Sequence, residues 1–180
     1  MSHDNSPSLE QELFTARAEA MRLEARCVDL ETQNFELASL FTASSQLHGT
    51  CREAVLTAME EIIVNLIGSE QFAICELADP ALNVIASVGV DAQQVLWTPR
   101  VQEVVRRSEA YIGSLEESGS SGNEPLACLP LRAKDEVIGV IVLFGLLSHK
   151  LEFEPLDHQL FDLLGTLAGP ALYCTRSVQA

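Results

Sequence analysis

Five cysteines, four histidines and a group of arginines set among aromatic residues are the side chains of this chain best suited to chemistry. Cys27, Cys51, Cys75, Cys128 and Cys174 are widely spaced, with no Cys-x-x-Cys pair and no His at ligand spacing, so neither a zinc site nor a dithiol couple is expected. A nucleophilic thiol needs exposure and a positive neighbourhood. Cys75 and Cys128 instead sit in apolar, strand-like runs, where packing accounts for them. His3, His48, His149 and His158 are scattered, so no metal and no cofactor is expected. Acid pairs such as Glu60-Glu61 and Glu116-Glu117 are adjacent in sequence, which on a helix points them to different faces. No nucleophile stands beside a base at a recognisable spacing, and no Gly-rich phosphate loop follows a strand. The expectation is a protein that is not an enzyme. What remains is Trp97, Arg100, Arg106, Arg107 and Tyr111, since an Arg beside an aromatic ring can hold an anionic, planar ligand. Trp97, Arg100 and Tyr111 are the candidate ligand-binding residues. The competing reading makes Arg106 and Arg107 a solvated helix face and Trp97 a core residue.

The most regular element comes first in the chain. Leu9, Ala16, Leu23, Leu30, Leu37 and Ser44 recur at sevens, and Leu13, Ala20, Cys27, Asn34, Phe41 and His48 form a second series four positions out of phase. This is a heptad repeat with the Leu series at d and the other at a. A lone Asn in the a layer, Asn34, pairs with its own copy across a parallel two-stranded seam and fixes its register. Flanking charges set Glu12 against Arg17 and Arg26 against Glu31, both attractive, and Glu19 against Glu24, which repels. The pattern predicts a homodimer through a parallel coiled coil over residues 8–48. Its interface would hold Leu9, Leu13, Leu23, Cys27, Leu30, Asn34, Leu37 and Phe41, with Cys27 able to bridge the two chains if oxidised. Ser6-Pro7-Ser8 would start the helix after a disordered stretch at 1–7. Nothing interrupts it from Leu9 to His48, a rod of about 60 Å.

Gly49 should end that helix, and Thr50 with Glu53 has the spacing of a capping box for the next. Val55, Met59, Ile62, Ile63, Leu66 and Ile67 give the second helix one apolar stripe, closed by Gly68. Then the period changes. Phe72 to Leu77 and Leu82 to Val88 read as a β-hairpin, Thr98-Pro99 as the start of a short helix, and Tyr111-Ile112 as a short strand. Glu116 to Glu124 has the composition of a loop. Leu126 to Leu131 and Val137 to Leu147 flank Arg132-Ala133-Lys134-Asp135-Glu136 as a second hairpin. Its later strand is apolar on nearly every residue, as when both faces are covered. Pro155 opens the last helix, which Gly169-Pro170 should kink or end about a turn before the C-terminus.

The net charge of −15 argues against nucleic acid or an anionic membrane as the main partner, since both require clustered Lys and Arg. A protein partner is the expectation. The longest apolar run, Val137 to Leu147, is too short to span a membrane. Met1-Ser2-His3-Asp4 lacks the positive start and apolar core of a secretory signal, so the expected location is cytoplasmic.

The order helix, helix, hairpin, short helix, loop, hairpin, helix resembles the GAF family. The sequences that carry the likeness are Ala127-Cys128-Leu129-Pro130-Leu131 followed by Val137-Ile138-Gly139-Val140-Ile141-Val142-Leu143, and the closing Leu156-Asp157-His158-Gln159-Leu160-Phe161 through Ala171-Leu172. The resemblance covers about residues 35–176 and leaves 177–180 as a tail. It implies an α+β fold: a central antiparallel sheet with the first, second and last helices on one face and a ligand-sized, loop-lidded cavity on the other, preceded here by the long coiled-coil helix. The family's bilin-binding Cys-His, its cyclic-nucleotide Asn-Lys-x-Asp pattern and the lid cysteines of its methionine sulfoxide reductases have no match in this chain. The resemblance therefore implies a non-enzymatic, dimeric regulator or adaptor of a bacterial signalling or motility pathway. The alternative is a small-molecule sensor that alters the coiled coil when a ligand binds.

Overall fold

The computed structural model describes residues 9–49, 51–78, 81–91, 95, 98–113 and 124–176. Trp97, Thr50, the segment before Leu9, most of the Glu116 to Glu124 loop and the tail at 177–180 lie outside them. The chain divides into two units, residues 1–39 and 40–180. Helix α1 runs unbroken over Leu9–Gln46, as the heptad predicts. In the second unit its last turn and the residue after it place Ala43 and Leu47 in the core, 0 % and 2 % exposed.

Helix α2 covers Arg52–Glu61 and widens into a π-helical segment, Ile62–Ile67. Thr50 of the predicted capping box lies outside the described residues. Cys51 is the residue before its first turn, extended and without a side-chain cap. The helix end is held instead by Arg52, whose guanidinium lies 2.7 Å from the Glu76 carboxylate. Val55, Met59, Ile62, Ile63 and Ile67 are all fully buried, so the apolar stripe does face the core. Each such side chain contributes about 1.5–3 kcal/mol by leaving water. Gly68 then takes the left-handed conformation, φ 74°, that closes the segment.

Five antiparallel strands follow: β1 Gln71–Ala78, β2 Ala81–Val88, β3 Tyr111–Ile112, β4 Ala127–Ala133 and β5 Glu136–Gly145. They lie in the order β2-β1-β5-β4-β3, with the most apolar strand central. Helix α3, Pro99–Arg107, interrupts the strands. The chain closes with α4, Pro155–Leu163, a π-helical turn at Leu164–Ala168 and α5, Gly169–Arg176.

One face of the sheet, through Phe72, Ile74, Leu129, Leu131, Ile141 and Leu143, packs against α2 and the closing helices. The other, through Cys128, Val140 and Val142, meets Val101 and Val104 of α3. β5 is thus covered on both sides, as its composition demands. A bulge between Leu131 and Arg132 leaves Ile138 as the extra residue, turning it to the same face as Ile141.

Two local features depart from expectation. The second hairpin is tighter than the five-residue turn predicted: only Lys134 and Asp135 separate the strands, both at positive φ, 50° and 67°. That is the two-residue turn whose twist matches the strands. Of the kink or end expected at Gly169-Pro170, the end does not occur. The wider π turn just before it opens the carbonyl ladder where proline has no hydrogen to give, and the helix runs on to Arg176.

Candidate functional site

The Thr98 hydroxyl accepts from the Val101 backbone N–H at 3.3 Å and Pro99 occupies the first turn, so α3 starts where the sequence predicts. Burial of Val101 and Val104 turns Arg100, Glu103 and Arg107 outward together. Ser108, at φ 57°, stops the helix and leads the chain into β3. There Tyr111 pairs with Cys128 across the ladder. The result is one stacked pair: the Arg100 guanidinium lies 4.5 Å from the centroid of the Tyr111 ring. A cleft of about 250 Å³ surrounds it, lined also by Glu103, Val104 and Arg107.

Of the candidate ligand-binding residues, Arg100 and Tyr111 are therefore brought together, while Trp97 lies outside the described residues. Glu103 was not singled out from sequence. Its signal was present in the i, i+4 spacing to Arg107, which it meets at 3.0 Å. A guanidinium held over a ring is attracted by its face, and Glu103 pairs with Arg107 beside it.

Cys128, paired with Tyr111, and Cys75 are both buried. Burial pushes Cys75 up to about 12 and Cys128 likewise, the latter raised further by Cys75 and lowered by Arg100. Both stay protonated at neutral pH, the inert state of a thiol. Alkylation at pH 8 with peptide mapping is expected to modify the exposed Cys51 and Cys174 within minutes, and Cys75 and Cys128 only after denaturant is added. The same shifts have a sign in stability. The folded state holds these protons between about 9 and about 12 while the unfolded chain releases them, so their contribution is complete below about 9 and is lost as pH rises toward 12.

The second candidate site is the α1 seam. Leu9, Leu13, Leu23, Leu37 and Phe41 are 77 %, 60 %, 60 %, 66 % and 75 % exposed, and Leu30 is half-exposed. Cys27 and Asn34 are exposed between them. Among the described residues, no three His, Cys, Asp or Glu gather as metal ligands, and no helix is long and apolar enough to cross a membrane.

The fold of residues 40–176 has counterparts among solved structures. The GAF domain from an Acinetobacter phosphoenolpyruvate-protein phosphotransferase superposes with a TM-score of 0.63 at 15 % identity, over 81 % of this chain and 96 % of that one. The corresponding Coxiella burnetii domain gives 0.60 at 15 % identity, over 80 % and 96 %. A type II free methionine-R-sulfoxide reductase from Thermoplasma acidophilum gives 0.53 at 15 % identity, over 69 % and 93 %. No curated protein matches the chain. The GAF domain family model matches residues 53–174, which takes in the hairpins, α3 with its Arg100–Tyr111 pair, and the closing helices. With sheet order, helix placement and two thirds of the sequence in agreement, this chain belongs to the GAF domain family.

Proposed function

We propose that this protein is a non-enzymatic, dimeric regulator or adaptor of a bacterial signalling or motility pathway, paired in parallel through α1 and acting by protein–protein contact in the cytoplasm. The observation that carries the reading is the Leu9 to Phe41 seam: six large apolar side chains on one helix face, each about half exposed or more. Water contact over such a stripe is unfavourable, and a second copy relieves it. Asn34 and the Glu12–Arg17 and Arg26–Glu31 pairs favour a parallel, in-register partner.

The seam has a built-in reporter. In a Cys51→Ser/Cys174→Ser background, mild oxidation is expected to join two chains through Cys27, which meets its own copy only in the parallel register. Leu30→Glu should reduce the cross-linked fraction at least tenfold. A chain that never cross-links at Cys27 would refute the parallel pair.

The Arg100–Tyr111 pair favours a second reading, a sensor of a small anionic, planar molecule. Native mass spectrometry of freshly purified protein separates the two readings: a retained small molecule lost with Arg100→Ala favours the sensor, and a bare-chain mass favours the adaptor.

A further inference from the structure

Helix α1 carries a second heptad beside the one described. Phe14, Met21, Val28 and Phe35 recur at sevens, and Ala18, Ala25 and Thr32 follow the first three at intervals of four. At 100° per residue this stripe lies about 140° around the helix from the Leu9 to Phe41 seam. Its large members are as exposed as those of that seam: Phe14 75 %, Met21 71 %, Val28 60 % and Phe35 65 %. The Thr32 hydroxyl donates to the Val28 carbonyl at 3.0 Å, so covering it leaves no donor unsatisfied.

We propose that this stripe is a second self-association surface, occupied by the same stripe of another copy of the chain running antiparallel, about a two-fold axis at the level of Leu23. Size selects the direction. In a parallel pair each layer meets itself, stacking Phe on Phe and Ala on Ala, so layers alternate between overfilled and hollow. Antiparallel pairing sets Ala18 against Val28, Ala25 against Met21 and Thr32 against Phe14, small against large in three layers, while Phe35 meets the aliphatic stem of Gln11 at each end. Charge selects it independently. A parallel pair opposes Arg17 to Arg22, Glu24 to Asp29 and Glu31 to Glu36, three repulsions. The antiparallel pair opposes Arg22 to Asp29 and Arg17 to Glu24, each twice by symmetry, with Glu10 against Glu31 repelling at the ends. The stripe is its own complement, which is why a second copy is its occupant.

The inference goes beyond the parallel dimer, because the two surfaces lie on different sides of one helix and can be filled together. Sedimentation of the full chain from micromolar to near-millimolar concentration is expected to give masses above two chains. Val28→Glu holds the mass at two. Arg22→Asp weakens the larger assembly about three- to tenfold, a modest change because the pairs are exposed, and Arg22→Asp/Asp29→Arg restores it. Neither position flanks the first seam, so Cys27 cross-linking is unchanged in all three variants. If Val28→Glu leaves the larger assembly intact, or wild-type protein stays at two chains throughout, the second surface is overturned. If Arg22→Asp strengthens assembly, the antiparallel direction is overturned, since a parallel pair would gain an Arg17–Asp attraction. Loss of Cys27 cross-linking in wild-type protein, with Val28→Glu falling to one chain, would refute the parallel dimer and uphold the second surface.

Discussion

Asp157→Ala is expected to lower the free energy of unfolding by about 3–5 kcal/mol, the range for breaking one partner out of a buried ion pair. Asp157 sits in the first turn of α4 with its side chain 2 % exposed. One carboxylate oxygen lies 2.7 Å from the Lys150 ammonium, and the other accepts from the Glu154 backbone N–H at 2.6 Å. The same ammonium donates to the Ile67 carbonyl at 2.6 Å, at the end of the π-helical segment after α2. Three chain segments therefore meet on one charge pair. Truncating Asp157 strands a Lys whose side chain is only 13 % exposed. Urea denaturation measures the effect, and Lys150→Met added to Asp157→Ala should recover part of it, because the stranded charge is then gone. A loss under about 1 kcal/mol for Asp157→Ala would mean the pair is solvated.

Gly169→Val is expected to be of similar size, about 3 kcal/mol or more, at the upper end for overfilling a packed site. A Cβ at Gly169 would overlap the carbonyl oxygen of Arg132 and stand 2.6 Å from its nitrogen. Those atoms belong to the β4–β5 hairpin backbone, which cannot rotate aside. Gly145 makes the control. A Cβ there meets first the Gln71 side-chain amide at 2.9 Å, the far end of a flexible group. Gly145→Ala should consequently shift the urea midpoint far less than Gly169→Ala, and equal losses would show that Gly169 is not a point of close packing.

These two positions mark where sequence reading ran short. Lys150 lies in a loop, where its seven-residue spacing to Asp157 carries no helical meaning, and nothing short of the folded chain brings it between a helix end and a helix start. Gly169-Pro170 carried a signal, but of the wrong kind: it reads as a break, whereas the glycine is required for contact and the π turn absorbs the proline. Lys134 and Asp135 likewise look like ordinary polar turn residues, and their positive φ follows from the register of β4 on β5. The second apolar stripe of α1 is legible too, since Phe14, Met21, Val28 and Phe35 are seven apart, though its small partners Ala18, Ala25 and Thr32 make it less regular than the Leu series.

For the candidate site, Thr98-Pro99 announced α3, and burial of Val101 and Val104 leaves Arg100 outward. That Tyr111 would lie under Arg100 depended on Ser108 turning the chain and on β3 pairing with β4, both long-range outcomes.

Periodicity by itself determined the long first helix, the two hairpins, the buried stripe of α2 and the doubly covered β5, because each is a local pattern of apolar side chains answering to one surface. Tertiary structure alone decided the Lys150–Asp157 junction, the seat of Gly169 on the hairpin and the Arg100–Tyr111 stack. Each of these depends on atoms far apart in the chain reaching contact distance, and a separation of that kind is set by the packing of whole elements, which no local spacing encodes.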